Sequence, residues 1–86
     1  MQYLLLKNRK KVLERYIHYL VTIKTLENEA YTGVLIPRDG EKYAYYILRE
    51  DEDGIRTKYF QYQQLIEMWV QIKNEWKLVY KRNKTK

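Results

Sequence analysis

The stretch NRKKVLERYIHYLVTIKTLE, residues 8–27, decides the fold, because it can be read as a helix or as a strand. At about 100° per residue, Lys11, Glu14, Arg15, His18, Thr22 and Thr25 fall in one polar arc. Val12, Leu13, Tyr16, Ile17, Tyr19, Leu20, Ile23 and Leu26 fill the rest of the circumference, with Lys24 as the main intruder. The competing element is a strand over residues 16–25, since Tyr, Ile, Val and Thr favour sheets and lose rotamer freedom in helices. That strand puts Ile17, Tyr19, Val21 and Ile23 on one face and leaves Tyr16 and Leu20 on the other. Periodicity therefore predicts a helix over 8–27, against local propensity.

Outward from this stretch, the middle of the chain reads as a three-stranded antiparallel meander. The first strand covers residues 31–36 and ends at the turn Pro37-Arg38-Asp39-Gly40, where Pro presets φ and Gly can adopt positive φ. The second covers 42–49, the acidic loop runs from Glu50 to Gly54, and the third covers 55–60. Residues 61–80 read as a second amphipathic helix, with Tyr62, Leu65, Met68, Trp69, Ile72, Trp76 and Val79 on its apolar side. Trp69 and Trp76 are then the heaviest core candidates. The predicted fold class is α+β, a two-layer αβββα domain in which the meander packs against two amphipathic helices. Residues 1–80 form the single domain, and residues 81–86 are a basic C-terminal tail.

Composition narrows the chemistry. The chain has 86 residues, no Cys and no Ser, so thiolate metal sites, disulfides and serine triads are excluded. Its one histidine, His18, has no second His or Cys to work with, and Gly33, Gly40 and Gly54 form no phosphate-cradling motif. A calcium loop ending at Gly54 would need an acid where Arg49 stands. The expectation is a non-enzymatic protein with no cofactor and no metal. Apolar runs fall far short of the ~20 residues that span a bilayer, and the charges of MQYLLLKNRKK follow its apolar stretch, the reverse of a signal peptide. An intracellular, cytoplasmic protein is expected, with no membrane partner. Abundant Lys, Ile, Tyr and Asn fit an AT-rich source, a bias common in viral and plasmid genes.

Charge is the most informative signal. Residues 1–26 carry six basic and one acidic residue, 27–54 three and eight, and 55–86 eight and two. The net charge of +6 understates how basic the two ends are. Lys7, Arg9, Lys10 and Lys11 at one end and Lys81, Arg82, Lys84 and Lys86 at the other are the candidate phosphate contacts. In the meander, Tyr46, Arg56 and Lys58 would share a face if Glu50–Gly54 forms a five-residue loop, so that an aromatic ring is interleaved with cations. The expected function is nucleic-acid binding, DNA more than RNA, through the backbone with some aromatic stacking. Six phosphate contacts would give a log–log salt slope of about −5 on duplex DNA.

Residues 43–60, with the amphipathic stretch behind them, resemble the hairpin and helix of integrase arm-type DNA-binding domains. That likeness implies groove-facing roles for Tyr46, Arg56 and Lys58. The αβββα order is also that of double-stranded-RNA-binding domains, but those carry lysines where this chain has Gln61, Tyr62, Gln63 and Gln64. The chain is assigned to neither family. The alternative function is a protein-interaction module, such as a viral or plasmid-encoded inhibitor of a host factor, with the Tyr-rich sheet and Glu50–Asp53 as its contact surface. A homo-oligomeric structural protein is the third reading, since ten Tyr exceed what so small a core needs.

Overall fold

The computed structural model describes residues 8–41 and 43–82. The helix that opens the chain is short. Asn8 caps it, its side chain accepting from the Lys10 and Lys11 N–H groups at 2.9 and 3.4 Å, and α1 runs over Arg9–Arg15. It stops at Tyr16, and His18 takes a left-handed φ of 75° that an α-helix cannot continue. Beyond it, β1 spans Leu20–Thr25 and buries Val21, Ile23 and Thr25 at period two. The predicted helix over 8–27 thus holds only over Arg9–Arg15. Val21, Thr22, Ile23 and Thr25 are β-branched, and a central strand seals their backbone on both sides while burying one face.

The meander is present as β2 (Ala30–Pro37), β3 (Ala44–Asp51) and β4 (Gly54–Gln61). Its second hairpin is tighter than predicted. Asp51 pairs with Gly54 across a two-residue turn, the Asp51 Oδ1 accepts from the Asp53 N–H at 3.0 Å, and Gly54 takes φ 121°. Arg49 therefore faces Arg56, Ile47 faces Lys58, and Tyr45 faces Phe60. This is one residue away from the expected register, and a one-residue slip exchanges the faces of a strand. Ile55, Thr57 and Tyr59 therefore lie on the outer side, and Phe60 is fully buried.

The second predicted helix is absent. Residues 61–80 form a 3-10 turn at Tyr62–Gln64, then β5 (Leu65–Ile72) and β6 (Glu75–Lys81), joined through Lys73 and Asn74. Both turn residues have positive φ, 52° and 67°, the conformation of a type I′ hairpin. Met68 and Val70 point into the core, whereas Trp69 and Trp76 remain 36% and 40% exposed and are not core residues.

All strands belong to one antiparallel sheet in the order β4-β3-β2-β1-β5-β6. The fold is therefore a six-stranded antiparallel sheet with one short helix, not a three-stranded meander between two helices. Its inner face, including Ile23, Leu35, Ile47, Phe60, Met68 and Val70, forms one cluster with Val12 and Leu13 of α1. α1, two helical turns long, packs its buried Val12 and Leu13 against this face. Among the described residues, no helix is long and apolar enough to cross a membrane.

Candidate nucleic-acid interface

One corner of the molecule gathers both basic ends of the described chain. The Arg9 guanidinium donates to the Gln63 carbonyl at 2.8 Å, and the Arg82 N–H donates to the Ile66 carbonyl, three residues further on, at 2.7 Å. The 3-10 turn thus lies between the start of α1 and the end of β6, and α1 packs against both. The Lys10 ammonium sits over two rings at once, 4.4 Å from the centroid of Tyr43 and 4.7 Å from that of Tyr62. Those rings meet edge to face at 5.4 Å, and the Arg9 guanidinium lies 5.9 Å from the Tyr62 ring. Rings hold these cations in place without neutralising them. Among the described residues, Arg9, Lys10, Lys11, Lys81 and Arg82 make no ion pair with a carboxylate.

The sheet cations behave differently. The Arg56 guanidinium approaches Asp51 and Asp53 at 3.8 and 3.7 Å, and the Lys58 ammonium binds Glu27 at 3.2 Å and approaches Glu29 at 3.9 Å. Burial alone would depress the Lys58 pKa, but the bonds to Glu27 and Tyr31 outweigh it and hold the ammonium above its ordinary value. Tyr46 stands on the opposite face, against Tyr59 with ring centroids 5.9 Å apart, so the expected grouping of Tyr46 with Arg56 and Lys58 does not form. A groove of about 320 Å³ beside these cations is lined by Tyr31, Arg49, Arg56 and Lys58. Four carboxylates already engage two of its three cations.

Lys81 is exposed and stands opposite Glu67 in the sheet. Lys7, Lys84 and Lys86 lie outside the described residues. Sequence reasoning missed Tyr43 and Tyr62 as partners of Lys10, because their approach depends on a long-range bond from the Tyr62 N–H to the Tyr43 carbonyl, 3.0 Å. No local pattern signals that contact. His18 is exposed, and no group of three or more His, Asp or Glu among the described residues could hold a metal ion. Comparison with known proteins finds no matching family, no similar curated protein and no similar solved structure.

Proposed function

We propose that this protein binds nucleic acid without catalysis, through phosphate contacts at the corner where α1, the 3-10 turn and the end of β6 meet. The observation that carries this reading is the convergence of Arg9, Lys10, Lys11 and Arg82 at one corner, where, among the described residues, no carboxylate pairs with them. Unpaired cations give phosphate binding its electrostatic strength, because the counterions they displace from the polyanion are released. Arg56 and Lys58 contribute little, since a phosphate would first have to displace carboxylates already bound to them. Such a ligand implies an intracellular place of action.

Charge reversal separates the two basic regions. Arg9→Glu/Lys10→Glu/Lys11→Glu places acids in the first turn of α1, where they suit the helix dipole, and circular dichroism checks that the fold survives loss of the Arg9–Gln63 bond and the Lys10–ring contacts. This variant loses retention of a duplex oligonucleotide, whereas Arg56→Glu/Lys58→Glu keeps most of it. Equal losses in the two variants, or none in the first, would contradict the proposal. A protein-interaction module is the second reading. It is favoured by the apolar outer face of the sheet, where Leu20, Trp69 and Trp76 are each at least 36% exposed.

A further inference from the structure

We infer that the outer face of the sheet is the contact surface between two copies of this chain. Strand register builds that face in rows. Thr22 stands beside Trp69, and Trp69 beside Leu78, while Gln71 faces Trp76 in the next row. Leu20 faces Val34, and Val34 faces Leu48. Further across, Ile36, Tyr46 and Tyr59 stand side by side. The helix lies on the other side of the sheet, within the core cluster, and only at the Tyr59 end does the β2–β3 loop reach these rows, with Arg38 4.7 Å from the Tyr59 ring and Glu41 on its hydroxyl. Exposed apolar surface that is continuous across strands marks a place of association.

Charge selects the occupant. Lys24, Glu67 and Lys81 form one cross-strand row, Glu50 stands elsewhere on the same face, and Arg38 and Glu41 pair at 3.6 Å beside Tyr59, so three bases balance three acids around an apolar centre. Neutral patches with a polar rim are the usual build of protein interfaces. The chain as a whole carries +6, so two copies repel in most orientations but not through this face. A polyanion gains little here, because Lys24 and Lys81 both neighbour Glu67. Size fits as well. Six strands of up to eight residues present a face of roughly 600 Å² in flat projection. Side-chain relief raises that toward the ~800 Å² per partner of a standard interface.

The chain has two tryptophans, and both lie on this face, so intrinsic fluorescence reports on it directly. We expect a native mass of twice 10.7 kDa at about 100 µM, with iodide quenching of tryptophan rising as the protein is diluted toward about 1 µM. Trp69→Thr/Trp76→Thr, which keeps good strand formers, should reduce the mass to 10.7 kDa while cooperative unfolding persists. Leu20→Lys leaves both indoles in place and should give the same fall in mass, together with dilution-independent quenching. A monomer at about 100 µM would overturn the inference, as would a dimer that survives both variants. So would tryptophan protection that follows added oligonucleotide and not protein concentration.

Discussion

Thr25 is fully buried, and its Oγ1 has no hydrogen-bond partner among the described residues. An unsatisfied buried hydroxyl costs more than the methyl that could replace it, so Thr25→Val should raise stability by about 1 kcal/mol in urea unfolding. A loss would mean that the hydroxyl is satisfied in solution. Glu41 shows the opposite situation. It accepts from the Tyr59 hydroxyl at 2.7 Å and the Gln61 amide at 3.1 Å, and these two bonds, with Arg38 nearby, hold its carboxyl below the ordinary glutamate value. A depressed folded-state pKa contributes stability above the unfolded value near ~4.3, and that contribution is lost as pH falls through the folded pKa. Tyr59→Phe should move the Glu41 titration upward in carboxyl NMR, and an unchanged midpoint would mean that the bond does not form. Lys58 has the reverse sign, because its pKa is raised: its contribution is complete below the ordinary lysine range and is lost as pH rises through the folded value.

At the scale of elements, the β2–β3–β4 meander was legible because turn residues punctuate it: Pro37, then Gly40 with φ 76°, then Gly54. The signals in 61–80 were equally local, but periodicity masked them. Met68, Val70 and Ile72 alternate with Glu67, Trp69 and Gln71, while an apolar arc at helical spacing can be drawn through the same residues. Asn74 was the deciding residue, because Asn tolerates the left-handed conformation that a two-residue hairpin requires. Lys73 tolerates it less well, so Lys73→Gly should stabilise the β5–β6 hairpin by roughly 0.5 kcal/mol in thermal unfolding, and a clear loss would argue against this turn. Gly33 is fixed by close approach: a Cβ there would lie 2.4 Å from the Leu48 carbonyl oxygen and 2.8 Å from an Ile47 methyl. Gly33→Ala should cost about 1–3 kcal/mol, and a neutral outcome would mean that β2 and β3 are less closely paired. That constraint depends on which strand lies beside Gly33, and no single-strand pattern contains it.

For the whole molecule, the sequence pointed to basic ends, but their meeting at one corner depends on a topology it did not disclose. Only pairing of β1 with β5 carries β6 back to the helix. Register likewise separated the sheet cations from Tyr46 and gave them to Glu27, Glu29, Asp51 and Asp53. The positive surface is therefore smaller than the net charge suggests, and this changes the expected strength of binding. Four cations at the corner, contributing about −0.9 each, predict a log–log salt slope of about −3.6 on duplex DNA, shallower than the −5 expected for six contacts. The most direct test is a fluorescence-anisotropy titration of a labelled duplex across a range of ionic strengths. A slope near −3.6 that flattens toward zero in Arg9→Glu/Lys10→Glu/Lys11→Glu is the predicted result, and an affinity indifferent to salt in the unaltered chain would contradict it.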